Sequence, residues 1–196
     1  MSIRFAPGPQ NGLTTVRAGL DRLAARQGPL APPQPATGAS TIEPPHAVYD
    51  LRADEISNGG GLESAHLTAF RYLIKSAGAA VAAAEVSANI PGNASLLANV
   101  NYGPYVAASA QALDELSAPA TMLVGSYEAR LLRFSAIYLV ALWLKADPGG
   151  SDVVVPLAPA PGSIQAGRRY TVPEFLDAIT PLARNRTQKT SGDPLP

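Results

Sequence analysis

Two histidines, His46 and His66, are the only side chains of this 196-residue chain that ordinarily titrate near neutral pH, and cysteine is absent. A histidine-based hydrolase needs a nucleophile beside the imidazole and an acid to orient it. The nucleophile elbow G-x-S-x-G does not occur, and Ser126 and Ser163 offer only a preceding glycine. His46 follows Pro44 and Pro45 at the head of an expected strand and is placed at the surface. His66 falls in the first turns of an expected long helix, where Glu63 shares its side. Two ligands do not make a metal site, and neither H-x-x-x-H nor H-x-E spacing is present. Without cysteine, disulfides, thiolate nucleophiles and cysteine-held zinc or iron–sulfur clusters are excluded.

The remaining charged and glycine-rich segments give no stronger pattern. Asp50, Asp54 and Glu55 form an acidic patch, but neighbours along a strand or turn point apart, so a solvated rim is expected. Asp114 and Glu115 read the same way. Asn58-Gly59-Gly60-Gly61 could bring backbone close to an anion ahead of a helix. It fits neither G-x-G-x-x-G nor G-x-x-x-x-G-K-[ST], and Glu63 would repel a phosphate, so it is read as a connection. Arg168, Arg169, Arg184, Arg186 and Lys189 gather near the end, opposed by Glu174 and Asp177. With no broad basic face they suit helix capping and solubility rather than nucleic acid. These patterns assign no catalytic, cofactor-binding or metal-ligating residue.

Elements of both kinds must position these side chains. A half-buried strand is expected near 47–53, with Tyr49 and Leu51 on one face and Asp50 and Arg52 on the other. An Ala-rich helix is expected over about 62–88, since Leu67, Phe70, Ile74, Ala77 and Val81 recur at helical spacing. Pro104 in a first turn, with Tyr105, Val106, Leu113 and Leu116 after it, predicts a second helix over 104–117. Three strands come next, near 127–134, 136–145 and 152–157. The middle one is almost wholly apolar, and Val153-Val154-Val155 anchors the last. One helix over 128–145 is the rival, but the valines and Asp147-Pro148-Gly149-Gly150 favour strands. In that register Trp143 shares a buried face with Leu139 and Ala141. A C-terminal helix over about 172–184 opens on a capping box of Thr171 and Glu174, with Pro173 in its first turn. The expected class is α+β, an antiparallel sheet packed by these helices.

Composition bounds the rest. Residues 1–45 read as an arm, with a short helix after Thr14 and Thr15 and then six prolines between Gly28 and Pro45. Pro32-Pro33-Gln34-Pro35 matches PxxP and is taken as a stiff spacer. Residues 46–185 are expected as the single globular domain and 186–196 as a flexible tail. Fifteen basic and fifteen acidic residues cancel, so no global pull toward nucleic acid or anionic lipid arises. No run approaches the roughly 18 apolar residues of a membrane span. The first residues lack the apolar core of a secretory signal, so a cytoplasmic location is expected. The expected function is a non-enzymatic accessory or partner-binding module that contacts another protein. The alternatives are a small hydrolase using His66 or His46 as general base, or a carrier of a small apolar ligand.

Overall fold

A computed structural model of the chain describes residues 2–25, 40–88, 96–118 and 124–191. The apolar third quarter forms its centre. Strands β7 (Ser126–Phe134) and β8 (Leu139–Ala146) pair antiparallel from Tyr127 opposite Ala146 to Phe134 opposite Leu139, and β9 (Val153–Pro156) adds to β8. Leu131, Leu142, Leu144 and Val155 belong to one core, and Leu132, Ala141, Trp143 and Val154 to another on the opposite face. Strands apolar on both faces must be covered on both. Helix α3 (Pro104–Ser117) covers the first face with Val106, Leu113 and Leu116. The second is covered by Phe175, Ile179 and Ala183 of α4 (Val172–Ser191) and by Ile56 of the short α2 (Ala53–Ser57). Trp143 is buried, and its indole N–H donates to Asp152 Oδ2 at 2.9 Å, so its one polar atom is satisfied.

Beyond β7 the sheet continues through β3 (His46–Asp50), β4 (His66–Ser76), β5 (Ala79–Ser87) and β6 (Leu97–Asn101). With β10 (Tyr170–Thr171) at the far edge, the order is β10-β9-β8-β7-β3-β4-β5-β6. β3 runs parallel to β7, and every other step on this path is antiparallel. The class is therefore α+β, with a mixed and mostly antiparallel sheet.

The expected Ala-rich helix over about 62–88 is not formed. The chain makes a short 3-10 turn at Leu62–Ser64 and then the β4–β5 hairpin. Ala77 and Gly78 form its two-residue turn with φ of 49° and 81°, the left-handed pair that matches the twist of a tight hairpin. Ala82, Ala83 and Ala84 stand opposite Ile74, Leu73 and Tyr72 and are all fully buried. Ala83 packs in the core under α3, while Ala82 and Ala84 pack with Val16 of α1 (Gly12–Ala25). Small side chains across from large ones let helices approach both faces of β5, and this packing overrides alanine's preference for a helix.

Residues 2–25, expected within an arm, also join the sheet and core. β1 (Ser2–Phe5) pairs parallel with Ser126–Ala129, directly ahead of the stretch of β7 that pairs with β3. Val16 has no exposed surface, and a Cβ on Gly19 would run into the Leu97 side chain, so α1 lies close on β6. β2 (Ser40–Ile42) pairs with the end of β4, while the PxxP segment lies outside the described residues. Smaller differences concern boundaries. β3 stops at Asp50, β8 begins after a 3-10 turn at Ser135–Ile137, and α4 runs on to Ser191. Among the described residues, no helix is long and apolar enough to cross a membrane.

Candidate functional site

The parallel pairing of β3 with β7 sets Asp50 beside Arg133, and a hydrogen-bonded ionic network grows from that pair. Arg133 Nε and Nη2 donate to Asp50 Oδ1 and Oδ2 at 2.7 and 3.2 Å, and Nη1 donates to Glu85 Oε2 at 2.8 Å. Nη2 also reaches Thr68 Oγ1 at 3.1 Å. Thr68 takes part because the β3–β4 register shifts between Val48 and Tyr49, leaving it as the extra residue of a bulge. Arg71 stands opposite Glu85 across β4 and β5, and both are 5 % exposed. Two guanidinium groups and two carboxylates thus balance inside the sheet, where an unpaired charge would cost several kcal/mol. Burial opposes the charge on Arg133, yet Asp50 and Glu85 together raise its pKa. For Arg71, burial dominates and lowers the pKa, Glu85 works against this, and Arg133 adds to it. Its Nε is buried without a hydrogen-bond partner.

His66 opens β4 at the rim of this network, opposite Asp50. It lies on a strand rather than in a helical turn, and its partner is Glu55, not Glu63. His66 Nε2 is 2.7 Å from Glu55 Oε1, with the imidazole about half exposed. The acidic patch is therefore divided. Asp50 binds Arg133, Glu55 binds His66, and Asp54 alone is the solvated rim that was expected of all three.

The turn between β7 and β8 lies at the same end. Its 3-10 residues close on Tyr138, a non-glycine residue in the left-handed region with φ of 55°. The Tyr138 amide donates to Ser135 O at 3.2 Å. Tyr105, in the first turn of α3, places its hydroxyl 2.9 Å from both Tyr138 O and Pro159 O and shares one proton between them. These contacts fix the backbone, while the Tyr138 side chain is 78 % exposed. Val140, next in register to Arg133, packs with Tyr105 against the α3-side core. The tyrosine corner and the ionic network therefore share a face and an end of the sheet. Tyr102, just before α3, is a further partly exposed aromatic.

The other candidates are dispersed. His46, expected at the surface, is 4 % exposed, because Phe5 of β1 packs edge-on at 5.0 Å between ring centroids. Glu63 sits in the 3-10 turn, and its own Oε1 accepts the Gly61 amide at 2.8 Å, filling the glycine turn with the protein's carboxylate. Ser126 Oγ accepts from Ser2, and Ser163 is exposed in a loop. Arg168 lies over the Tyr170 ring and 3.4 Å from Glu174, while Arg169, Arg184 and Arg186 are exposed. Among the described residues, no three His, Asp or Glu side chains converge to hold a metal ion. Arg71, Glu85, Arg133 and Tyr138 were not singled out by the sequence. The signal available was Arg133 inside the otherwise apolar run from Leu131 to Phe134. Comparison with known proteins finds no matching family model, no similar curated protein and no similar solved structure.

Proposed function

We propose that the chain is a non-enzymatic partner-binding module whose contact surface centres on Tyr138 and whose partner is another protein. The observation that carries this reading is a tyrosine held in a left-handed backbone with its side chain in solvent. That conformation costs a non-glycine residue about 1–2 kcal/mol, and such strain persists where the surroundings over-determine it and often marks a functional site. The bonds from Tyr105 and to Ser135 supply that constraint. A ring mounted on fixed backbone loses little freedom on binding, and tyrosine and arginine are favoured interface anchors. The complementary surface is an apolar pocket with a polar group at its base, which matches the two ends of a tyrosine.

A photo-crosslinking amino acid placed at position 138 tests this in cells making the full chain, with the exposed Arg17 position as control. One discrete protein adduct from position 138, absent from position 17 and competed by added wild-type protein, is the expected outcome. Equal labelling from both positions would reject the reading. A second reading, a small hydrolase with His66 as general base oriented by Glu55, is favoured by their 2.7 Å contact. It requires turnover of an activated ester that His66→Gln and Glu55→Gln both abolish while the fold is kept.

A further inference from the structure

On the α4 side of the sheet a cleft of about 280 Å³ opens between Tyr49 of β3, Arg130 of β7, Trp143 and Lys145 of β8, and the turn that carries Glu63. Arg130 Cζ lies 4.8 Å from the ring centroids of both Tyr49 and Trp143, so the charged head itself, and not only its stem, forms the wall. Its Nε donates to Glu128 Oε1 at 2.6 Å, while Nη1 and Nη2 have no partner among the described residues and keep accessible surface. Two rings and one carboxylate thus fix a guanidinium fork that has nothing to bind. Lys145, its side chain 44 % exposed, gives one ammonium proton to Asp152 and holds two more. Asp152 is fully engaged, because its oxygens accept from Trp143 Nε1, Lys145 Nζ and the Ala146 amide. Glu63, exposed at the rim, uses Oε1 for the Gly61 amide and leaves Oε2 without a partner among the described residues. The cleft therefore displays unused donors on the sheet and an unused carboxylate oxygen on the turn.

We infer that this cleft binds a free α-amino acid, its carboxylate on Arg130 and Lys145 and its ammonium on Glu63. A zwitterion matches both kinds of unused group at once. A plain carboxylate gains the fork but meets Glu63, Asp152 and Glu128, which outnumber the two cations by one. A plain amine sets its charge against Arg130 and Lys145 with nothing to offer their free N–H groups. At roughly 30 Å³ per water-sized group, the space takes about nine heavy atoms, which is the size of leucine. Leu62, Ala65 and Val172 supply apolar wall for its side chain.

The test titrates the full-length, ¹⁵N-labelled protein at pH 7 with L-leucine, with 4-methylpentanoate, which lacks the amino group, and with isopentylamine, which lacks the carboxylate. Trp143 is the single tryptophan, so its indole N–H gives one unambiguous resonance in the cleft wall. The expected result is a saturable shift of that resonance and of the Ala65 and Val172 amides with L-leucine only. Arg130→Lys, which keeps the charge and loses the fork, should weaken binding tenfold or more. Glu63→Gln, which keeps a carbonyl oxygen for the Gly61 amide and loses the charge, should do the same. No saturable shift with L-leucine would mean that water alone fills the cleft. Equal binding of 4-methylpentanoate would make it an anion site, and equal binding of isopentylamine a cation site. Unchanged affinity in either variant would take the site away from that residue. Each of these overturns the inference.

Discussion

Arg133 bonds two carboxylates and a threonine with one guanidinium, and no single replacement can do the same. Arg133→Met would take the bidentate partner from Asp50 and leave the buried Glu85 with Arg71 alone, and a loss of about 3–5 kcal/mol is expected in urea unfolding. Arg133→Lys should recover only part of it, since an ammonium cannot reproduce the bidentate fork. His46 predicts a pH dependence of opposite origin. Burial is the main cause that lowers its pKa from 6.5 to about 4; the Arg71 carbonyl opposes this and the Arg71 charge assists. Lys75 on β4, Glu43 before β3 and Asp114 on α3 line a cavity with it. Above pH 6.5 the ring is neutral folded or unfolded, and the fold loses nothing. Between pH 6.5 and 4 only the unfolded chain takes up the proton, so stability falls with falling pH, by roughly 3 kcal/mol in all. Urea titrations at pH 7 and 4.5 should show a smaller drop for His46→Phe than for wild type. Equal drops would mean that acid sensitivity resides elsewhere.

The hairpin β4–β5 shows what local pattern conveys and what it hides. β7, β8, β9, α3 and the capping box of α4 were legible because each carries its own period or stop signal. The box appears as read, with Thr171 N donating to Glu174 Oε2 at 2.8 Å. In β4, the alternation of Phe70, Tyr72 and Ile74 against Ala69, Arg71 and Leu73 was also present, but the leucines and alanines satisfied a helical period equally well. What decided between them, two helices closing on β5 from opposite faces, is a long-range fact absent from the segment itself. The turn offers a direct check. Ala77→Asn would place Asn-Gly at a left-handed pair, which should stabilise the fold by about 0.5–1 kcal/mol. In a helix the same change would destabilise. Ala83→Leu should cost about 1–3 kcal/mol by overpacking, although leucine is nearly as good a helix former as alanine.

Across the molecule, the two cores meet back to back through β7 and β8, and Trp143 reports on one of them. Its emission should be blue-shifted and poorly quenched by iodide, and Trp143→Ala should cost about 3–5 kcal/mol. Red-shifted, readily quenched emission would reject that burial. The candidate site was less legible than the core for a reason of scale. Asp50, Thr68, Glu85 and Arg133 come from four strands, and the parallel step between β3 and β7 that gathers them leaves no spacing to read in the chain. The burial of His46 was hidden for the same reason, because it depends on Phe5 from β1.

The placement of β1 against β7 also sets a clock on synthesis. Ser2 meets Ser126 across 124 positions of sequence, so β1 leaves the ribosome long before the strand that pairs with it. At about 5–20 residues per second, that wait lasts roughly 6–25 s. During that time Ile3 and Phe5 travel on an unpaired strand that can join a neighbouring nascent chain as readily as its own. Yield in a fast-translating host should therefore depend on a fusion placed ahead of Ser2 more than on one placed after α4.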